Sequence, residues 1–196
     1  MLNKRWSVVA VIILLFVFIL VNTGFWNYSS LFAFDEIPDG EWISLIDNNL
    51  IFNITDIEVF QNGALLCIAN GRIIKSIDDG NTFEDITGKI KEYVKFLVTD
   101  NSKIYAVTSS FVYLSSDSGA TWKLLEEITD DTITYACVFD GNLYIGTGFG
   151  KVLMKDQSGL FDTIVDANLL TVNCILLAKN YLYVATMNGL FFVQGG

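Results

Sequence analysis

The densest group of acidic residues in this chain is Glu126, Glu127, Asp130 and Asp131. Two carboxyl groups that face each other across a cleft, roughly 5 to 10 Å apart, can cleave a glycosidic bond. The group is therefore a candidate ligand face in the connection between two structural units, and a solvated acidic loop is the alternative interpretation. Its spacing matches no calcium-binding loop, and the sequence predicts no metal site and no cofactor.

The residue types that the chain lacks exclude several other chemistries. The 196 residues include no histidine, which removes the commonest general base and the commonest metal ligand. Cys67, Cys137 and Cys174 form neither a zinc pattern nor a disulfide framework. They lie in apolar, strand-like segments, which predicts buried free thiols, with a Cys137–Cys174 disulfide left open. A net charge of -10 disfavours nucleic acid as a partner.

A recurring turn is the most conspicuous motif. Residues 115–122 fit the pattern Ser-x-Asp-x-Gly-x-Thr-Trp, and residues 76–83 fit it 39 positions earlier with Phe in the last place. A third, degraded copy keeps an Asp and an aromatic residue, with its glycine displaced by one position. The carboxylate of such a turn is predicted to accept hydrogen bonds from its own backbone N–H groups, so we interpret the motif as structural. Its residues are Ser76, Asp78, Gly80, Thr82, Phe83, Ser115, Asp117, Gly119, Thr121, Trp122, Asp156 and Phe161.

The turn belongs to a longer repeat. From residue 57 onward the chain aligns with itself at a period of 39 residues without gaps. Each unit contains strand-like runs of β-branched and aromatic residues, separated by Gly, Asn, Asp and Ser. Four antiparallel strands per unit, repeated four times, predict an all-β protein with the blades of a β-propeller.

Closure of the ring is predicted to come from the N-terminal side. Residues 41–46, which include Trp42, resemble a fourth strand, and the last unit breaks off before its own fourth strand. This strand would complete the last blade and hide its open edge, giving a closed ring of four blades. The alternative is half a ring, with two chains pairing as a homodimer of eight blades.

The repeat also decides two weaker patterns. The glycine-rich run at residues 146–151 is superficially like a phosphate-binding loop, but it aligns with hairpin turns and no helix pattern follows it. Tyr105, Tyr144 and Tyr183 recur at one strand position, where packing between blades is favoured over a ligand platform.

The recurring turn resembles the Asp-box, or BNR repeat, of sialidase-like and sortilin-like propellers. This resemblance implies a propeller domain over residues 41–196. A sialidase would also need an arginine cluster, but the chain contains only Arg5 and Arg72. The chain is therefore identified as a non-catalytic member.

The N-terminus predicts a membrane anchor. Lys4 and Arg5 precede an apolar run, and residues 1–26 are long enough to span a bilayer as one helix. No good cleavage site follows, so an uncleaved signal anchor is favoured over a cleaved signal peptide. The basic residues place the N-terminus in the cytoplasm and the propeller on the extracytoplasmic side, after a stalk at residues 27–40.

Two functions remain open. In the first, the chain is a non-enzymatic, membrane-anchored scaffold that binds a protein partner; in plan it resembles the Asp-box assembly factor of photosystem II. In the second, it is a carbohydrate-binding or degenerate glycoside-hydrolase-like propeller that uses the acidic group. The functional surface is expected in the connections around Asp47, Lys89, Glu126 and Asp166, away from the Asp turns.

Overall fold

The computed structural model describes residues 53–100, 102–156, 159, 161–166, 171–179 and 181–194. These residues form an all-β structure with one short 3-10 helix at Gln61–Gly63. The strands are β1 (Ile54–Phe60), β2 (Ala64–Ala69), β3 (Arg72–Ser76), β4 (Glu84–Asp85), β5 (Phe96–Asp100), β6 (Lys103–Val107), β7 (Phe111–Ser115), β8 (Lys123–Glu127), β9 (Ile133–Phe139), β10 (Asn142–Thr147), β11 (Lys151–Lys155), β12 (Phe161–Asp166), β13 (Val172–Ala178), β14 (Tyr181–Thr186) and β15 (Gly189–Gln194).

The strands form four antiparallel sheets in chain order, which confirms the predicted four units. Blade 1 is β1–β4, blade 2 is β5–β8, blade 3 is β9–β12, and blade 4 is β13–β15. In each sheet, strands that follow one another in the sequence are hydrogen-bonded neighbours, joined by short turns. The fourth strand of blade 1 has two residues, Glu84–Asp85, and the described part of blade 4 has three strands.

Alternate side chains of each strand pack on opposite sides of its sheet, so three cores lie between consecutive blades. Leu66 and Ile68 of blade 1 meet Leu97 and Ile104 of blade 2. The second core joins blades 2 and 3 around Val107 and Ile145, and the third joins blades 3 and 4 around Val152, Ile175 and Val184. The first strands contact one another in the order β1, β5, β9, β13. The sheets therefore follow one another as propeller blades do.

The gapless register predicted from residue 57 is wrong at two places. In blade 1 the 3-10 helix adds one residue to the first turn, so Ile57 pairs with Cys67 where Leu97 pairs with Ala106. In blade 3 the second turn also carries one extra residue, because Gly146 pairs with Val152 where Val107 pairs with Val112. Turns accept such insertions because the strand pairs on either side keep their hydrogen bonds.

The described strands do not include the strand that was predicted to close the ring. The closing strand at residues 41–46, with Trp42, lies outside the described residues, as do the predicted anchor and stalk. Among the described strands, β13 has no contact with β1 comparable to the contacts between consecutive blades. The described residues contain no helix with the length and apolar character needed to cross a bilayer.

Candidate functional site

The connections between blades gather at one end of the sheets. Each fourth strand ends there and each first strand begins there, so the turns between second and third strands lie at the same end. Hydrogen bonds tie these segments together: the Val94 N–H donates to the Gly71 carbonyl at 3.0 Å, and the Gly148 N–H donates to the Thr132 carbonyl at 2.9 Å. We call this end the connection face; its described segments are residues 70–71, 89–95, 108–110, 128–132, 148–150 and 187–188.

A buried threonine fixes the turn between the second and third strands in three blades. The hydroxyl oxygen of Thr108 accepts the Phe111 N–H at 2.9 Å, and that of Thr147 accepts the Lys151 N–H at 3.1 Å. Thr186 likewise accepts the Asn188 N–H at 3.1 Å. Side-chain oxygens that bond to the backbone a few residues on stabilise turns of this kind. The base of the turn is therefore held in a similar way in blades 2, 3 and 4.

The tips of these turns differ, and two of them present large apolar side chains to solvent. The turn of blade 2 carries Ser109 and Ser110, whereas Phe149 in blade 3 is 66% exposed and Met187 in blade 4 is 70% exposed. Exposure of these side chains leaves apolar surface that a partner can bury. Binding residues are commonly carried by variable loops that a rigid scaffold positions.

A tyrosine adds a third exposed apolar group at blade 1. Tyr93 lies in the connection to blade 2 and is 53% exposed. Its ring lies directly on Gly71, where a Cβ atom would overlap the ring, so a larger residue at position 71 would displace it. In the same connection, Glu92 Oε2 accepts the Tyr113 hydroxyl at 2.9 Å. Burial, reinforced by Glu92, raises the pKa of Tyr113 to about 12, so this hydroxyl remains a donor at neutral pH.

The acidic group does not form one loop, which corrects its predicted position in the connection. Glu126 and Glu127 belong to strand β8, where they pair with Val112 and Phe111. Only Asp130 and Asp131 of the group lie in the connection. Strand β8 can extend to Glu127 because it is the edge strand of its sheet. Its carboxylates reach water there while its backbone pairs with β7.

Asp131 contributes to the turn that carries Phe149. Its carboxylate accepts the Phe149 N–H at 3.1 and 3.2 Å, and it accepts the Thr132 N–H at 2.7 Å. Gly148 is required beside it, because a Cβ atom there would lie 2.9 Å from the Thr132 hydroxyl and 3.1 Å from Asp131. Asp131 therefore holds the blade 3 turn against the connection, with the Phe149 side chain left outside. The glycine-rich run is a hairpin turn, as the repeat predicted.

The two complete Asp turns lie at the opposite end of the sheets and share one hydrogen-bond pattern. Asp78 accepts the Thr82 N–H at 2.9 Å and the Thr82 hydroxyl at 2.7 Å, and the Ser76 hydroxyl oxygen accepts the Gly80 N–H at 2.9 Å. Asp117 accepts the same groups of Thr121 at 2.8 and 2.6 Å. The carboxylates thus accept bonds from their own turns, as predicted.

These hydrogen bonds stabilise the ionised carboxylates. The Thr121 hydroxyl, the Thr121 N–H and the Ser115 hydroxyl lower the pKa of Asp117 to about 2. The corresponding bonds from Thr82 and Ser76 lower the pKa of Asp78. Both carboxylates are fully engaged with their own turns, which favours a structural role over ligand binding.

The third copy is not equivalent to the other two. Because of the extra residue in its second turn, Lys155 occupies the place of Ser115: Ser115 pairs with Ile104, and Lys155 pairs with Leu143 one repeat later. The place of Asp117 then falls on Gln157, which lies outside the described residues. Asp156 caps the turn differently, by accepting the Gly159 N–H at 3.1 Å, and Phe161 pairs with Lys155 in the strand that follows.

The blade 2 turn also joins two blades. The Trp122 indole N–H donates to the Ile86 carbonyl of blade 1 at 2.8 Å, and Lys75 of blade 1 donates to the Ser118 carbonyl at 3.1 Å. Gly119, with φ at +92°, lies so close to Ile86 that an added Cβ atom would overlap its Cδ1. Phe83 of the first turn is half-buried. The second Asp turn thus packs against the preceding blade.

The prediction that all three cysteines are buried is correct for Cys67 alone. Cys137 is half-buried and Cys174 is exposed, and all three are free thiols. Cys174 lies on β13, which has a neighbouring blade on one side within the described residues. Burial, and then the nearby Cys174, raise the pKa of Cys137 to about 12. Tyr105 and Tyr144 are buried between blades, which confirms their predicted packing role, whereas Tyr183 is half-buried.

Tyr93, Phe149 and Met187 were not predicted as functional residues. Their sequence signal is a large apolar residue within a polar connection or turn, at a position where Ser or Asn stands in another blade. Lys89, near which a functional connection was predicted, is exposed in the connection to blade 2. Asp47 lies outside the described residues.

No protein-family model matches the chain. The curated proteins contain no matching relative. Solved structures do match: "YCF48 bound to D1 peptide" has a TM-score of 0.60 at 19% identity, covering 77% of this chain and 53% of that one. The extracellular domain of BT4673 from B. thetaiotaomicron has a TM-score of 0.62 at 16% identity. The match covers 76% of this chain and 22% of the BT4673 chain.

A third match, in a nidogen/laminin complex, has a TM-score of 0.55 at 11% identity and covers 72% of this chain and 65% of that one. These neighbours are β-propeller proteins, so the fold of the described sheets is that of propeller blades. This chain spans about half the length of YCF48 (53%).

Proposed function

We propose that this chain is a non-enzymatic Asp-box β-propeller that binds an extended protein segment at the connection face. The observation that carries the proposal is the set of exposed apolar side chains on fixed supports, Tyr93, Phe149 and Met187. Large apolar and aromatic groups on a rigid base provide most of the binding energy at protein interfaces. The resemblance to YCF48, whose structure contains a bound peptide, supports a peptide ligand.

The membrane anchor belongs to the same proposal. Residues 1–26 hold the propeller at the extracytoplasmic side of a membrane, and the N-terminus lies in the cytoplasm. This part rests on the sequence pattern of Lys4, Arg5 and the apolar run that follows them. A scaffold held there would present its connection face to a segment of a neighbouring protein.

The carbohydrate alternative has less support. It needs neighbouring carboxylates that are free to act on a sugar, but Glu126 and Glu127 are strand residues and Asp131 is bonded to the Phe149 backbone. Binding of the full chain to a glycan array tests this alternative directly. Saturable glycan binding that is lost in Glu126→Ala would favour it.

The peptide proposal is tested by panning a phage library of random linear peptides against the full chain in detergent micelles. Peptides selected on the native chain should bind at least about tenfold more weakly to Phe149→Ala, because a buried aromatic anchor contributes about 1.4 kcal/mol or more. Met187→Ala should weaken the same peptides.

The matched control is Ile77→Ala, which removes an apolar side chain that is 81% exposed at the opposite end of the sheets. This variant should bind the selected peptides as the native chain does. The proposed surface would be contradicted if the selected peptides bound Phe149→Ala and Met187→Ala as tightly as they bind the native chain. It would also be contradicted if they lost affinity for Ile77→Ala instead.

A further inference from the structure

The side of blade 4 that faces away from blade 3 exposes a strand position that is buried in blades 1, 2 and 3. Pairing places Ile73, Val112, Val152 and Leu190 at one position of the third strands. The first three have no exposed surface (0% each), because the next blade covers them, whereas Leu190 is 70% exposed. Leu176 and Phe192 lie on the same side of blade 4 and are 47% and 65% exposed. This side therefore has the apolar character of a blade interface without a covering blade among the described residues.

The side of blade 1 that faces away from blade 2 shows the complementary exception. Ile57, Leu97, Ala136 and Ile175 occupy one position of the first strands. Leu97, Ala136 and Ile175 are buried against the preceding blade, whereas Ile57 is 61% exposed. Val59, on the same side of β1, is also exposed.

These two sides are the two halves of one interface type. At each of the three junctions within the chain, the side equivalent to that of Leu190 packs on the side equivalent to that of Ile57. The chain therefore presents both partners of a fourth junction. They do not meet within one chain, because β13 has no comparable contact with β1 among the described strands.

We propose that a second copy of this chain covers both sides. The Leu190 side of each copy packs on the Ile57 side of the other, so a two-fold axis relates two identical junctions. The two copies close one ring of eight sheets in which each open side is covered. The exposed apolar groups of blades 1 and 4 are thereby buried as their counterparts are within the chain.

The proposal is tested by the mass of the full chain in detergent micelles at micromolar concentration, measured by light scattering with the detergent mass subtracted. The native chain should be a dimer. Leu190→Glu and Ile57→Lys should each be monomeric, because each places a charge in both junctions of the dimer. Both positions are exposed in the single chain, so neither variant should lower its melting temperature by much.

Mixing the two variants provides the sharper test. A dimer of one Leu190→Glu chain with one Ile57→Lys chain has one native junction. Its other junction carries both substitutions, and their opposite charges can pair there, so the mixture should regain a dimer. Ile77→Glu, at an exposed position in the turn that follows β3, should stay dimeric as the native chain does.

Three results would overturn the proposal. A monomeric native chain would mean that both sides remain open or are covered within the chain. A dimer that persists in both single variants would place the interface elsewhere, including the N-terminal segment. A series of growing oligomers would show that the junctions form but do not close a ring.

Discussion

Gly119→Ala tests whether the second Asp turn joins blades 1 and 2. Gly119 has φ at +92° and is buried, and an added Cβ atom would overlap Ile86 Cδ1. The left-handed backbone costs an alanine about 1–2 kcal/mol. Displacing Ile86 from its packed position costs about 1–3 kcal/mol more. The variant should therefore lose about 2–5 kcal/mol of unfolding free energy, the sum of the backbone and packing costs.

The matched control is Gly63→Ala. Gly63 also has positive φ, at +78°, but nothing lies within 4 Å of its added Cβ atom. It should lose the backbone cost alone, about 1–2 kcal/mol. For a domain of this size each kcal/mol lowers the melting temperature by about 2–4 °C, so thermal unfolding followed by tryptophan fluorescence separates the two variants.

A second change identifies the contact itself. Ile86→Val removes the Cδ1 atom that the new Cβ would meet, at a cost of about 0.5–1.5 kcal/mol when made alone. Combined with Gly119→Ala it should be less destabilising than the sum of the two single changes by about 1 kcal/mol. Equal losses for Gly119→Ala and Gly63→Ala, or strict additivity of Ile86→Val, would refute the inter-blade contact.

Two further predictions concern one aspartate at each end of the sheets. Because the folded-state pKa of Asp117 is about 2, below its ordinary value of 3.8, the stability that it contributes is present above pH 3.8 and is lost as the pH falls from there to about 2. Asp117→Asn should flatten the pH dependence of the melting temperature in this window; a native-like pH profile would show that Asp117 is not the titrating group. At the other end, Asp131→Ala removes the acceptor of the Phe149 N–H and should weaken selected peptides by about three- to tenfold with a small change in melting temperature. Asp130→Ala is its control, and equal binding by both variants would count against positioning of Phe149 by Asp131.

The strands and their grouping followed from the sequence because alternating apolar residues and turn residues are local signals. The 39-residue period located the blades and assigned residues 146–151 to a hairpin turn. The period could not show the extra residues at Gln61–Gly63 and in the turn of Phe149, because an insertion in one turn and a compensating change later leave most of the alignment intact. For the same reason the period matches Asp156 with Asp117, although strand pairing places Gln157 there.

The candidate site was less accessible to sequence reasoning. Glu126 and Glu127 stand out in the sequence as charges, but strand pairing extends through them. Ile57 and Leu190 have the same apolar character as their buried counterparts, so their exposure depends on which sheet lies beside them and not on local sequence. The exposure of Phe149, a single residue in a turn, depends on how Asp131 holds the backbone.

Hydrogen–deuterium exchange can show whether the connection face, and not the Asp turns, binds an extended peptide. The full chain is compared with and without a peptide selected on the native protein. We predict slower exchange in the presence of peptide at residues 92–94, 148–150 and 187–188, with unchanged exchange at residues 77–82 and 116–121. Protection confined to residues 77–82 and 116–121 would contradict peptide binding at the connection face.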